Sequence, residues 1–256
     1  MGERMIAVTG SASGLGAAVA ARMRAAGATV IGVDLHDADV VADLSGADGR
    51  AAALGAVLGA CGGTLHGLVP CAGLGPQVPD HALIASVNYF GFAAFLDGCF
   101  GALRAGAPAA AVAISSNSTT IDPTVDAALV DACLAGEEAG ARARATDLAG
   151  NTVYASSKVA VARAVRRRVT EWGAAGVRVN AVAPGPFESP LLQAGREDPV
   201  FGPAIEALPV PTGRPGTPDE VASVVEFLLS PAAAYVHGSI VFVDGGIDAL
   251  LRPDAI

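Results

Sequence analysis

A chain of 256 residues suits one α/β domain around a single large core, since cores stop growing only beyond roughly 250–300 residues. The formal charge of −9, from 16 Lys and Arg against 25 Asp and Glu, excludes a nucleic-acid partner, whose phosphates need clustered cations. Hydrophobic residues make up 52% of the chain without an uninterrupted apolar run of bilayer length, so no membrane span is expected.

The chain opens on Met1-Gly2-Glu3-Arg4, and the apolar run that follows is too short for a signal peptide. Residues 5–8 read as a strand, 17–26 as a helix stopped by Gly27, and the β-branched stretch 29–33 as a second strand ending at Asp34. The same alternation predicts a helix over 51–61, a strand over 68–71, a helix over 84–103 and a strand over 109–114. A long helix over 153–172, a strand over 177–182, a helix over 218–229 and a strand over 240–243 complete the series. Repeated βα units imply an α/β fold, a single Rossmann-type doubly wound parallel sheet with helices on both faces. Two inserts, about 118–150 and 187–215, are expected near the substrate site or a subunit interface, within one domain spanning 1–256. Cys61, Cys71, Cys99 and Cys133 are scattered without CxxC spacing, which points to neither disulfides nor a metal and fits a cytoplasmic protein. The basic run Arg166-Arg167-Arg168 reads as the solvated face of a helix.

In open α/β sheets ligands bind beyond the carboxyl ends of the strands, so chemistry is expected just after each apolar run. After the first strand comes Thr9-Gly10-Ser11-Ala12-Ser13-Gly14-Leu15-Gly16. Gly10 would allow a tight exit, Gly14 the approach of a pyrophosphate and Gly16 close packing of the new helix, whose N-terminus attracts anions. Asp34 stands about 20 residues on, where a carboxylate hydrogen-bonds a ribose and repels a 2′-phosphate. With no Lys or Arg at Ser13 or Leu35, the reading favours NAD over NADP. Asp43, followed by Leu44, is either a contact to the adenine edge or a plain surface residue.

Tyr154 and Lys158 lie four residues apart, hence on one face of a helix. At ~6 Å and an effective dielectric of ~20, their attraction is roughly 3 kcal/mol, enough to lower a phenol by about two pKa units. That would suit Tyr154 to general acid-base work. Seen alone, the same spacing also describes a half-buried Tyr beside a solvated Lys. It is joined, however, by Ser115 and Ser116 at the end of a strand and by Asn88 inside a helix.

Through Thr9-Gly10-x-x-x-Gly14-x-Gly16, Asn88, Ser116, Tyr154-x-x-x-Lys158 and Pro184-Gly185, nearly the whole chain resembles the short-chain dehydrogenase/reductase family. Within it the chain is similar to members acting on 3α-hydroxysteroids, through Cys71-Ala72-Gly73-Leu74-Gly75-Pro76-Gln77, Ser86-Val87-Asn88-Tyr89-Phe90-Gly91, Pro190-Leu191-Leu192-Gln193-Ala194-Gly195 and Asp244-Gly245-Gly246-Ile247-Asp248-Ala249. The resemblance implies that Tyr154 exchanges the substrate proton and that Ser116 hydrogen-bonds the carbonyl oxygen. It implies that Lys158 holds the nicotinamide ribose, that Asn88 positions a water and that Ser189 contacts the carboxamide. The implied cofactor surface adds Gly10, Ser13, Gly14, Leu15, Gly16, Asp34, Leu35, Asp43, Leu44, Cys71, Ala72, Gly73, Pro184 and Gly185.

Two departures stand out. Pro70-Cys71-Ala72-Gly73 replaces the family's Asn-Asn-Ala-Gly, and Pro70, lacking an N–H, implies an irregular strand end. The insert at 118–150, with helix-turn-helix character over 127–144, implies a homodimer in place of the common homotetramer. Leu191, Leu192, Val200, Phe201, Ile205 and Leu208 are candidate lining for an apolar pocket. The expected reaction interconverts a secondary alcohol and a ketone on a hydrophobic cyclic substrate such as a 3α-hydroxysteroid. A cyclic terpenol or cis-dihydrodiol dehydrogenase and a non-catalytic NAD-binding sensor or scaffold are the alternatives.

Overall fold

The structure is a computed structural model that describes residues 4–255; Met1, Gly2, Glu3 and Ile256 lie outside them, and with them most of the N-terminal segment read above. Seven parallel strands form one sheet in the order β3-β2-β1-β4-β5-β6-β7. In chain order these are β1 (Met5–Thr9), β2 (Thr29–Asp34), β3 (Val40–Val41), β4 (Gly67–Pro70), β5 (Ala109–Ile114), β6 (Val177–Pro184) and β7 (Ile240–Val243). The chain runs outward from β1 to β3 and then returns to the other side of β1 at β4. The order therefore reverses between β1 and β4, where a doubly wound sheet opens a crevice at its carboxyl edge.

Helix α1 (Gly14–Ala25) joins β1 to β2, and α2 (Ala47–Ala60) joins β3 to β4. The apolar stretch after β4 is helical over His81–Ala105, but it is not the single α-helix expected. It comprises α3 (His81–Ala85), a π-helical turn over Ser86–Gly91, α4 (Phe92–Gly98) and α5 (Phe100–Ala105). This 25-residue run is long and apolar enough to cross a bilayer by length and composition, an 18-residue window of it reaching mean hydropathy 1.4 although polar residues interrupt it. Its most apolar window is 61% buried within the molecule, as in a core helix.

After β5 come α6 (Ser118–Ile121), α7 (Ala127–Ala135) and α8 (Glu138–Thr146), the last two forming the expected helical hairpin. Gly136 sits between them at φ 75°, a left-handed conformation that glycine adopts without a Cβ clash. Helix α9 (Gly150–Arg167) starts earlier than predicted and yields at Arg168 to α10 (Val169–Ala174). The segment after β6, expected to be loops or small helices, carries α11 (Pro190–Glu197) and α12 (Gly202–Glu206). Helix α13 (Pro218–Leu229) matches its predicted bounds because Thr217 and Glu220 form a reciprocal capping box with Pro218 at the first turn. Helix α14 (Ile247–Leu251) follows β7.

Two apolar layers cover the sheet. On one face α2, α4, α7 and α9 enclose Leu68, Phe95, Ala111, Leu129, Val161 and their neighbours. On the other, α1 packs against α13 over Val8, Val19, Val112 and Val225. The insert belongs to the first layer: α7 packs on α9, while α8 packs on α3. Arg142 of α8 hydrogen-bonds Ser86, and Glu138 pairs with Arg50, a side chain 7% exposed.

Candidate active site

At the carboxyl edge of the sheet a cavity of about 800 Å³ extends from the loop after β1 to the segment carrying α11 and α12. Gly10, Ser13, Gly14, Leu15, Gly16, Asp34, Leu35, Asp43 and Leu44 line one end of it, as expected from sequence. Cys71, Ala72, Gly73, Ser116, Tyr154, Lys158, Pro184, Gly185 and Ser189 line the remainder. Asn88 does not line it.

The glycine loop is shaped by two contacts. A Cβ on Gly16 would come within 1.9 Å of the Gly10 carbonyl oxygen, so this glycine serves loop-to-helix packing, not the helix-to-sheet packing anticipated. The Asp34 carboxylate accepts the Ala12 N–H at 2.8 Å and the Leu35 N–H at 2.7 Å, and so ties the end of β2 to the loop. Ser13, the residue preceding α1, makes no side-chain cap bond, and the first turn of that helix carries no acid. Its N-terminal N–H groups thus face the cavity with the partial positive charge that suits a phosphate. Gly14, at φ 52°, leaves only Ser189 and Pro190 near its missing Cβ, at 3.8 and 3.9 Å. Residues and space together fit a dinucleotide, with pyrophosphate at α1 and a ribose at Asp34. Asp43 gives one carboxylate oxygen to the Ser45 N–H at 2.8 Å, which holds its carboxyl below the usual range.

The irregular end of β4 expected from Pro70 takes a definite form. Pairing with β5 covers only Gly67 and Leu68, while Pro70 still pairs with Thr9 of β1. Thr9 Oγ1 then accepts the Ala72 N–H at 3.0 Å, a side-chain link that carries the connection past the proline. Cys71 is no candidate nucleophile here, because burial pushes its thiol up to about 12.

Tyr154 and Lys158 project from α9 with the ammonium 5.7 Å from the ring centroid. Lys158 Nζ donates to the Ile114 carbonyl at 3.1 Å, and Ser115 Oγ donates to the Lys158 carbonyl at 3.0 Å, so the end of β5 is bound to this face of α9. Burial lowers Lys158 to about 8. The phenol is not lowered as expected: burial raises it, and a hydrogen bond with Ser116 offsets only part of the rise. The correction is one of magnitude, since desolvation of the anion outweighs an ammonium that is itself destabilised by burial. The groups are thus a protonated phenol beside a second hydroxyl, both lining the cavity.

Asn88 bonds through its side chain to the segment after β4. It sits in the π-helical turn, where its amide accepts the Leu74 N–H at 2.7 Å and donates to the Leu74 carbonyl at 3.0 Å. Its second donation goes to Ser157 Oγ at 3.4 Å. The side chain therefore holds the loop after β4 beside Lys158. The Ser189 hydroxyl accepts the Leu192 N–H at 3.1 Å as the cap of α11.

Of the predicted apolar lining, Leu191, Leu192, Ile205 and Leu208 reach the cavity, whereas Val200 and Phe201 do not, Val200 being 74% exposed. Sequence reasoning missed the opposite wall: Asn117, Ser118, Ile121, Asp122 and Thr124 after β5, with Asn151 on α9. Asn151 was within reach of the same spacing rule that picked out Lys158, being three residues before Tyr154 and hence on its helical face.

Comparison with known proteins gives concordant results. A family model described as Enoyl-(Acyl carrier protein) reductase matches residues 10–248. The chain is 48% identical over 252 residues to a 3-alpha-hydroxysteroid dehydrogenase/carbonyl reductase of Comamonas testosteroni, covering 97% of this chain and 98% of that one. It is 33% identical to a Cis-4-hydroxycyclohexanecarboxylate dehydrogenase of Sinomonas cyclohexanicum, over 97% and 98% of the respective chains. Among solved structures, the 3-alpha-hydroxysteroid dehydrogenase from Pseudomonas sp. B-0831 complexed with NADH superimposes with a TM-score of 0.96 at 47% identity, covering 98% of this chain and 100% of that one.

Proposed function

The chain belongs to the short-chain dehydrogenase/reductase family, and from that premise we propose that it is an NAD(H)-dependent oxidoreductase interconverting a secondary alcohol and a ketone on a hydrophobic cyclic substrate. A 3α-hydroxysteroid and its 3-ketone are the substrates that the likeness to the Comamonas testosteroni and Pseudomonas proteins supports best. The observation that carries the reading is the juxtaposition of Tyr154 and Ser116 with Lys158 behind them, beneath an apolar wall of Leu191, Leu192, Ile205 and Leu208.

When bound, NADH supplies the hydride. Asp34 and the N-terminus of α1 hold its ribose and phosphates, and Lys158 and Ser189 lie along the cavity toward its other end. Asp34 also selects against a 2′-phosphate. The hydroxyls of Ser116 and Tyr154 donate to the substrate oxygen and stabilise the charge that grows there during reduction. Tyr154 then gives up its proton, and in the oxidative direction it receives one. Asn88 keeps the Leu74 segment in place beside Lys158.

The test is reduction of a steroid 3-ketone, a monoterpenoid ketone and an aromatic ketone with NADH, in the native protein and in Tyr154→Phe. Steroid turnover is expected, with a loss of about 10²–10⁴-fold in the variant and NADH fluorescence quenching retained. Inert steroids in a panel where other ketones react would reject the steroid assignment. A native protein that binds NADH but reduces nothing would instead mark a sensor. A single-ring cyclic alcohol is the second reading, favoured by the likeness to the Sinomonas cyclohexanicum enzyme.

Tyr154→Phe separates turnover from binding because only the phenol oxygen is removed. We also propose a single cofactor-binding domain, a cytoplasmic location, which four free cysteines support, and a homodimer, because α7 and α8 occupy the faces of α9 and α3.

A further inference from the structure

The wall facing the leucines is polar. After β5 the chain passes Asn117 and Ser118, whose Nδ2 and Oγ atoms are buried without a partner, and then reaches Asp122. All three line the cavity. Asp122 is a carboxylate with no Lys, Arg or His within ion-pair distance among the described residues. Its Oδ1 accepts from Thr124 N at 2.8 Å and Thr124 Oγ1 at 2.6 Å, while Asn151 Nδ2 stands 3.5 Å from its Oδ2. Thr152 Oγ1 donates to Thr124 Oγ1 at 2.9 Å and fastens the group to α9 from a second position.

Asn151 precedes Tyr154 by one helical turn, and Asp122, Asn151 and Tyr154 all line the same cavity, so the carboxylate shares that space with the reacting hydroxyl. Its two neutral partners orient it without cancelling its charge. A carboxylate lining the cavity repels a second negative charge brought into the same space.

We propose that Asp122 is a specificity determinant: it excludes cyclic ketones that carry an anionic group on the ring, and it favours those that present a hydroxyl or other hydrogen-bond donor there. The inference rests on the carbonyl chemistry assigned to Tyr154. It would set this protein apart from a dehydrogenase of carboxylated cyclohexanols, while leaving room for neutral rings of one or several members.

The experiment compares cyclohexanone, 4-hydroxycyclohexanone and 4-oxocyclohexanecarboxylate with NADH, in the native protein and in Asp122→Asn. The native protein should show kcat/KM at least tenfold lower for the carboxylated ketone than for the hydroxylated one. Asp122→Asn should narrow that ratio to about threefold or less, mainly through KM for the carboxylated ketone. A purely structural loss would lower all three together and leave the ratio unmoved. Should the variant fail to fold, the salt dependence of the native ratio decides: discrimination by charge weakens as ionic strength rises. A native protein preferring the carboxylated ketone, a ratio unchanged by the substitution, or, where the variant is lost, a ratio insensitive to salt would overturn the proposal. If no ketone is reduced by either protein, the carbonyl reading itself falls, and the role of Asp122 with it.

Discussion

Lys158 shows what burial does to a charge in this site. Its ammonium is lowered to about 8 from an ordinary value near 10.5, which corresponds to about 3 kcal/mol spent on keeping it charged inside the protein. Between those two values the unfolded chain binds more protons than the folded one, so this group's contribution to stability rises with pH across the window. Below about pH 8 the full cost is present, and above about pH 10.5 it is gone. Lys158→Met should therefore gain most over the native protein below pH 8. That gain should shrink by up to about 3 kcal/mol as pH approaches 10.5. Urea unfolding of both proteins at matched pH reads the difference directly, and a gap constant across the window would contradict it. Burial acts on Tyr154 in the opposite sense: its raised phenol keeps its proton at neutral pH, present for reduction but held more tightly than by a free phenol.

Among the elements, Pro70 shows how a residue that weakens one ladder recruits another group. Because Thr9 Oγ1 takes the Ala72 N–H, Thr9→Val should remove a partly buried hydrogen bond and cost about 0.5–1.5 kcal/mol, measured by the shift in urea midpoint at unchanged slope. Most of this level was legible in the sequence. The strands β1, β2, β5, β6 and β7 announce themselves as β-branched or apolar runs, and α13 announces itself through Thr217, Pro218 and Glu220. The π-helical turn at Ser86–Gly91 was hidden, because its residues carry the same apolar pattern as the helix around it; Asn88, which reaches across to Leu74, lies within it. The two-residue β3 was hidden for the opposite reason, being too short for periodicity to register. The site followed the same rule. Residues just after strands, or one turn apart on α9, could be found. Of the polar wall beyond β5, Asn117 and Ser118 obey that rule as Ser116 does, whereas Asp122 and Thr124 could not be found, since their position depends on how the insert folds back over α9.

Across the whole molecule, the insert ties separate parts of the chain together. Glu138 pairs with Arg50, whose guanidinium also donates to the Leu44 and Ser45 carbonyls at 3.3 and 3.2 Å, so α8 is joined to the rim of the cofactor end of the cavity. With α3 and α9 covered from within the chain, light scattering on the purified protein should return the mass of two chains, and a mass of four would refute the proposed dimer. The sheet's margins bear on how such copies can meet. One outer strand has two residues and the other four, so a neighbouring chain finds only a short row of free backbone groups on which to template itself. Fibril-like growth by strand addition is therefore poorly seeded from the native state, and any association that persists must be made by side chains whose shapes and charges can be matched one partner at a time.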